Sequence, residues 1–374
     1  MKVTDLNVDE LILIFKFCSA YDLPVLVKVC KLFEDVIEEH FYEIMCRDLL
    51  MVTHVKSFPK IFNRTLNDSM RFSERLRVNQ NWIFRTCQQI VFFQHRENYT
   101  THLQMDSYCL YTANLGEFNV YQRRYKDGIH VEPIFSAGRI NDSPITNLKR
   151  CDEMVAGSRR NGSVFTYSDN DGYSMDFLST DPIVDLDFYD DLFVTTAKWE
   201  TKFHRLSVEM DMLTIDSTDL SLGRGLESVN FNPTGDKILG TDKGNFFLID
   251  PTTAAIVEKF SIKPQIYNSL WISESTFLHT SRNFPLSLID TRCKFKQEEF
   301  SCGNFTATAI DFDGRFGVVY GTLLGMMVLS DLRNPKMFER VFHLDTPAIC
   351  RNIKTDESNM FVSTDNAIYL LKFD

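Results

Sequence analysis

Seven basic or aromatic residues stand in segments that the sequence predicts as turns between β-strands. They are Arg159, Arg160, Lys198, Trp199, Lys202, Lys243 and Arg282. Arginine and lysine pair well with phosphate and carboxylate groups, and tryptophan is enriched among the residues that contribute most to binding. If these side chains converge on one rim of the fold, they form a substrate-binding dock for an acidic or phosphorylated peptide. The alternative is that turns are polar because they are solvated, and that the seven side chains face different directions.

Motifs for enzymatic chemistry are absent from the sequence. No G-x-S-x-G pentapeptide occurs, and Gly235 and Gly240 have the spacing of a phosphate-binding loop but are followed by Thr241 instead of lysine. The Gly223-Arg224-Gly225 segment lacks the third glycine of a dinucleotide site. The eight histidines are dispersed, without the spacing of metal ligands. We therefore predict that the chain is not an enzyme, with no catalytic residues, no metal and no cofactor.

Overall charge and composition narrow the classes of partner. The 374-residue chain carries a formal net charge of -11, which disfavours general binding to nucleic acid or to an anionic membrane. No apolar run reaches the roughly 18 residues that a membrane-spanning helix needs. The nine cysteines are scattered and form no C-x-x-C pair, which fits reduced thiols. We therefore expect a protein of the cytoplasm, the nucleus or both.

Two amphipathic helices are predicted near the start of the chain. Between Leu6 and Ile37, apolar residues recur at intervals of three and four, and Asp22 and Pro24 suit the beginning of the second helix. A unit of about 40 residues lies at the edge of independent folding. Two short helices this apolar cannot cover their own surface, so the remaining face is predicted to dock the helices of another protein. The alternative is an ordinary helical hairpin within a core.

The same stretch resembles the F-box motif. The spacing L-x-x-D-x-L-x-x-I-F, followed by D-L and V-C-K-x-F, is matched by Leu6, Asp9, Leu11, Ile14, Phe15, Asp22, Leu23, Val29, Cys30, Lys31 and Phe33. Asn7 stands where the motif usually has proline, and it is expected to loosen the first turn. The resemblance implies docking to the Skp adaptor of a cullin–RING ubiquitin ligase. The adaptor-binding residues that it implies are Leu6, Leu11, Ile14, Phe15, Leu23, Leu26, Val29, Cys30 and Phe33.

From about residue 87 onward, short strand-like segments repeat. One recognisable segment of each repeat starts at positions 118, 164, 203, 246, 286, 326 and 367. A period of roughly 40–45 residues with four strands per unit is typical of a β-propeller. The repeats number seven. Residues 89–93 precede the first repeat and are expected to pair, as an outer strand, beside residues 367–373 and so to close the ring.

A helical F-box followed by a WD-type propeller is the architecture of the F-box/WD-repeat family, which the chain resembles. Residues 73–87, 103–122 and 346–373 carry the resemblance most specifically, although the WD dipeptide itself is absent. The predicted fold class is α+β. The expected domains are an F-box at 1–45, a helical linker at 46–86 and a seven-bladed β-propeller at 87–374.

The family resemblance implies a function in ubiquitin transfer. The chain is expected to be the substrate-recognition subunit of a Skp–cullin–F-box ligase, whose propeller binds an unidentified protein substrate, acidic or phosphorylated. One alternative is a scaffold without ubiquitination. Another is a receptor for a different cullin ligase, because Asp290-Thr291-Arg292 and Asp331-Leu332-Arg333 resemble a W-D-x-R motif that lacks its tryptophan. Contacts between Asp and Arg within each turn explain those two segments more simply.

Overall fold

The computed structural model of the chain describes residues 6–18, 22–42, 51, 72–84, 87–94, 101–124, 128–129, 132–139, 141–209, 212–220, 222, 224–261, 266–281, 284–293, 296–300, 306–336 and 338–373. Across these ranges, a few helices are followed by seven antiparallel sheets. The first strands of successive sheets contact one another around a closed ring. The fold is therefore a seven-bladed β-propeller, as the repeats predicted. None of the helices in the described ranges is both long and apolar enough to span a membrane.

The described α-helices and one π-helical turn all precede the propeller. They are α1 (Val8–Phe15), α2 (Leu23–Leu26), α3 (Lys31–Ile37), a π-helical turn (Glu38–Tyr42) and α4 (Phe72–Phe84). Asn7 caps α1 because its side chain accepts the Glu10 N–H at 2.9 Å, while the Glu10 carboxylate accepts the Asn7 N–H at 2.9 Å. This capping box satisfies two backbone donors at the start of the helix. The expectation that Asn7 loosens the first turn was therefore wrong.

Each blade has four strands, which we label a to d from the central channel outward, and blade 1 divides its outermost strand in two. Blade 1 contains β2 (Thr101–Met105), β3 (Cys109–Asn114), β4 (Glu117–Arg124), β5 (Gly128–Ile129) and β6 (Phe135–Ala137); blade 2 contains β7 (Ile145–Cys151), β8 (Met154–Arg159), β9 (Ser163–Ser168) and β10 (Gly172–Phe177); and blade 3 contains β11 (Ile183–Tyr189), β12 (Leu192–Ala197), β13 (Thr201–Glu209) and β14 (Met212–Asp219). Blade 4 contains β15 (Ser228–Phe231), β16 (Ile238–Asp242), β17 (Asn245–Asp250) and β18 (Ala255–Ser261); and blade 5 contains β19 (Ile266–Trp271), β20 (Thr276–Ser281), β21 (Phe284–Asp290) and β22 (Lys296–Glu299). Blade 6 contains β23 (Ala307–Phe312), β24 (Gly317–Thr322), β25 (Met326–Asp331) and β26 (Phe338–His343); and blade 7 contains β27 (Asn352–Thr355), β28 (Asn359–Ser363) and β29 (Ala367–Lys372), completed by β1 (Gln88–Gln94). A short 3₁₀ helix at Thr291–Cys293 follows β21.

The ring closes in blade 7 by pairing the two ends of the propeller sequence. Strand β1 runs antiparallel to β29, with Gln88 opposite Lys372 and Gln94 opposite Ala367. The predicted pairing of these two segments is confirmed. Because β29 also pairs with β28, one sheet holds both the first and the last strand of the propeller. Because blade 7 contains strands from both ends of the propeller sequence, the ring of blades is closed, and no strand edge is left open between the last blade and the first.

Inner-strand carboxylates join neighbouring blades near the axis. The Asp185 carboxylate accepts the Val229 N–H at 2.9 Å, and the Asp187 carboxylate accepts the Phe231 N–H at 2.7 Å. Asp311 binds the Thr355 N–H in the same way at 2.7 Å. In each case a strand a carboxylate satisfies a backbone donor close to or within strand a of another blade. These charge-assisted bonds fix the lateral register of the ring.

Helix α4 packs against blades 6 and 7. The Trp82 ring is fully buried and stacks on the Phe373 ring, with 3.6 Å between centroids. Its indole N–H donates to the carbonyl oxygen of Glu357 at 2.7 Å. On the same helix, Leu76 belongs to the apolar cluster that holds α1 and α3 together. Helix α4 therefore contacts both the N-terminal helices and the propeller.

Candidate functional site

The helices and the predicted basic residues lie at opposite ends of the blades. The Met51 N–H donates to the Asp313 carboxylate at 3.0 Å, and Arg75 of α4 contacts Glu357. Asp313 and Glu357 stand in the turns between strands a and b of blades 6 and 7. The predicted basic residues stand at or beside the turns between strands b and c. Since strand b runs from one turn to the other, these two surfaces are separated by the length of a blade.

Four of the predicted adaptor-binding residues form the interior of the helical unit. Leu11, Phe15, Leu23 and Phe33 are at most 3% exposed. The rings of Phe15 and Phe33 meet edge to face, with 5.0 Å between their centroids. Such side chains shape the unit from inside and do not reach its surface. Any effect that they have on a partner is therefore exerted through the positions of the helices.

The other predicted adaptor-binding residues are partly or largely accessible. Leu6, Leu26 and Cys30 are half-buried, whereas Ile14 and Val29 are exposed. Three further apolar side chains of the helical unit are more than half exposed, and the sequence pattern did not identify them: Leu13, Phe17 and Val25. We call Leu13, Ile14, Phe17, Val25 and Val29 the apolar ridge. Their exposed fractions are 58%, 46%, 92%, 65% and 60%, compared with 41% for Val8, so the ridge holds the five most exposed large apolar side chains of residues 6–42 that the structure describes.

Two of the predicted substrate-binding cations are engaged within the propeller. The Arg159 guanidinium is buried and donates to the carbonyl oxygens of Gly116 and Ser143, each at 3.0 Å. It therefore links blade 2 to a turn of blade 1. The Lys202 ammonium lies 2.7 Å from the Glu200 carboxylate, and this contact lowers the pKa of Glu200 below its ordinary value. Arg282 lies outside the described residues.

The remaining predicted residues are exposed in the b–c turns of three consecutive blades. They are Arg160 in blade 2, Lys198 and Trp199 in blade 3, and Lys243 in blade 4. The Lys198 ammonium lies 4.7 Å from the centroid of the Trp199 ring, within the range of a cation–π contact. Lys243 and Gly244 have φ values of 40° and 93°, which suits a two-residue hairpin turn. We call these four residues the basic rim. Their role in substrate binding stays a prediction.

Both Asp-x-Arg segments form ion pairs within their own turns. The Arg292 guanidinium binds the Asp290 carboxylate at 2.7 Å and 3.1 Å, and Arg333 binds Asp331 at 2.6 Å. Each pair spans two residues and bends the arginine back over its own turn. This geometry favours local stabilisation of the turn over recognition of a second type of ligase.

A polar channel of about 360 Å³ runs between the inner strands. The Lys149 ammonium donates to the Asn230 side-chain oxygen at 2.6 Å, and the Asn230 amide donates to the Ser269 hydroxyl at 3.0 Å. The nearby Asp185 and Asp187 carboxylates already bind backbone N–H groups. Among the described residues, no group of three or more His, Cys, Asp or Glu side chains is placed to hold a metal ion. The channel groups contact one another, and we assign no ligand to them.

A scan against protein-family models gives no match, and a search of curated proteins gives none either. The structure itself shows a seven-bladed propeller, a fold compatible with a domain that binds substrates or other proteins.

Proposed function

We propose that the chain is the substrate-recognition subunit of a Skp–cullin–F-box ubiquitin ligase in the cytoplasm or nucleus. The N-terminal helices bind the Skp adaptor, and the propeller binds the protein substrate. The observation that carries this proposal is the apolar ridge on a small helical unit that also resembles the F-box motif. Within the F-box/WD-repeat family, residues 73–87, 103–122 and 346–373 resemble those of dactylin.

The ridge supports the proposal on energetic grounds. Fully burying one large aliphatic or aromatic side chain contributes roughly 1.5–3 kcal/mol relative to leaving it in water. The five ridge side chains stay largely in water in the isolated chain, while Leu11 and Phe15 beneath them are already covered. A partner that covers the ridge therefore gains apolar burial without unfolding the helical core. An apolar groove formed by helices is the kind of surface that fits it.

Helix α4 supports a role in which the chain positions a substrate relative to the adaptor. Leu76 packs with the N-terminal helices and Trp82 packs with blades 6 and 7, so one helix connects the adaptor surface to the propeller. The basic rim lies at the other end of the blades, which leaves it accessible while the helices are occupied. A substrate held there is presented at high effective concentration to the conjugating enzyme that the RING subunit carries. The transfer chemistry belongs to that enzyme and not to this chain.

Adaptor binding is tested with the double variant Ile14→Asp and Val29→Asp. Both side chains are exposed, so the helical core is preserved, while two carboxylates would be buried against the partner. We expect loss of co-purification with the Skp adaptor and an unchanged melting temperature of the propeller. The matched control is Val257→Asp, because Val257 is also exposed but lies on strand d of blade 4. Undiminished adaptor binding by the double variant would contradict the F-box assignment.

The second candidate function is a scaffold that binds partners without ubiquitination. It uses the same two surfaces, and the internal engagement of Arg159 and Lys202 favours it by reducing the cations that a substrate reaches. A reconstituted ligase separates the two functions. Ubiquitin transfer to a protein that binds the propeller supports the ligase subunit, whereas binding to adaptor and cullin without transfer supports the scaffold.

A further inference from the structure

Two exposed lysines flank the apolar ridge. Lys16 precedes Phe17 at the end of α1, and Lys28 precedes Val29 just after α2. Lys16 is the C-cap of α1, and Lys28 lies two residues beyond the end of α2. Each lysine is therefore the chain neighbour of a ridge residue. Both occupy the same position relative to a ridge residue, at the end of their respective helices.

The positive charges of these lysines are not neutralised within the described part of the chain. Lys31 provides the contrast, since its ammonium lies 3.1 Å from the Glu34 carboxylate and 3.0 Å from that of Asp35. Neither Lys16 nor Lys28 forms an ion pair of this kind in the described ranges. Two exposed lysines, without an ion pair in the described ranges, therefore stand next to residues of the apolar ridge in the chain.

The acidic residues of α1 and α2 lie at the opposite ends of these helices. Asp9 and Glu10 are in the first turn of α1, and Asp22 immediately precedes α2. The Glu10 carboxylate is turned back to accept the Asn7 N–H. Along each of the two helices, the acidic residues therefore stand at the beginning and a lysine stands at or just beyond the end. Such a polarity distinguishes one orientation of a docked partner from the reverse orientation.

We propose that the adaptor surface which covers the ridge is an apolar groove with acidic side chains where it meets Lys16 and Lys28. This inference rests on the proposed function and adds the chemistry of the partner's rim. A neutral or basic rim would bring the two ammonium groups close to the interface without a counter-charge. An acidic rim pairs with them, orients the adaptor and accelerates its association, while the ridge supplies the apolar burial.

The test measures the association rate of the full chain with purified Skp adaptor at two salt concentrations. At about 0.05 M salt, the double variant Lys16→Glu and Lys28→Glu is expected to associate at least about tenfold more slowly than the wild type. At about 1 M salt, where the Debye length is about 3 Å, the two rates should converge. The control variant Lys259→Glu and Lys336→Glu changes the net charge equally but at exposed positions of the propeller, and its rate should match that of the wild type.

The outcomes separate this inference from the function on which it rests. If the Lys16 and Lys28 variant associates at the wild-type rate in low salt, the acidic rim is wrong and the adaptor assignment stands. If the wild type does not bind the adaptor at all, the proposed function and this inference are both overturned. Circular dichroism of the variant establishes that a slow rate does not reflect unfolded helices.

Discussion

The carboxylate of Glu357 accepts a hydrogen bond from the guanidinium of Arg75 at 2.7 Å, with side chains only 4% and 1% exposed. One partner stands in a turn of blade 7 and the other on α4. Arg75→Ala should destabilise the protein by about 3–5 kcal/mol, because it leaves a buried carboxylate without its counter-ion. Burial raises the pKa of Glu357, whereas the positive charge of Arg75 opposes that rise. The loss of stability should therefore be larger at alkaline pH, at which the carboxyl group is ionised. Thermal denaturation at several pH values measures it.

A control for Arg75 is available on the same helix. Arg77 is 52% exposed and lies 3.6 Å from Glu74, so its replacement by alanine removes only a surface ion pair. Arg77→Ala should change the melting temperature little. Equal effects of the two substitutions would show that the buried ion pair does not anchor α4.

Removal of the last eight residues should destabilise the whole propeller. The deletion eliminates β29, so β1 loses its only partner, β28 keeps β27 alone, and blade 7 is opened. Exposed strand edges pair with other chains, so we expect a lower melting temperature and aggregation. Calorimetry and light scattering measure the two effects, and removal of Asp374 alone is the control. A truncated chain that melts like the full one would place ring closure elsewhere.

Acid should weaken the fold through two buried histidines. Burial lowers the pKa of both His204 and His279 to about 4, compared with about 6.5 in an unfolded chain. Between these values the unfolded chain takes up a proton that the folded chain excludes. Stability is therefore retained above about pH 6.5 and lost as the pH falls, by about 3 kcal/mol for each ring at pH 4.

The histidine contribution is isolated by comparing variants across that pH range. His279→Gln should lose less stability than the wild type between pH 6.5 and 4. Burial also raises the pKa of Asp185 and Asp313 to about 6, so these carboxyl groups favour the folded state as the pH falls. Because they do so in both proteins, their contribution cancels when the two pH profiles are subtracted. His343→Gln, at an exposed position, is the control. Parallel pH profiles for wild type and His279→Gln would contradict the prediction.

Charge reversal should have different effects in the exposed basic rim and at Arg159, the buried arginine beside it. Arg160→Glu, Lys198→Glu and Lys243→Glu together should weaken binding of an acidic peptide, most strongly at low salt, without lowering the melting temperature. Arg159→Glu should instead lower the melting temperature, because two backbone carbonyls lose their donor. Fluorescence anisotropy of a labelled phosphopeptide and thermal denaturation measure the two effects. If the triple variant binds the peptide normally, the basic rim is not the substrate site.

The propeller could be predicted because its signal repeats. Segments such as 326–330 recur with the same period as the blades, and the strands of the structure follow that period. The helical unit was harder, since periodicity identifies an apolar stripe but not what covers it. Leu11 and Phe15 form the stripe and are covered by their own chain, which leaves Leu13 and Phe17 on the surface. The internal hydrogen bonds of Arg159 could not be predicted, because its acceptors are the backbone carbonyl oxygens of Gly116 and Ser143. Every residue carries a backbone carbonyl, so residue types do not reveal such acceptors.

The contact between Trp82 and Phe373 has a consequence for the order in which the protein matures during synthesis. The N-terminal helices are translated before the propeller, and the ring on which Trp82 stacks belongs to Phe373, which follows Trp82 by about 290 residues in the sequence. At about 5–20 residues per second, the helices wait on the order of tens of seconds for that ring. A nascent or prematurely terminated chain therefore exposes the apolar ridge before the propeller against which α4 packs is complete. The stacking of Trp82 on Phe373, which joins α4 to the propeller, forms only after Phe373 has been translated.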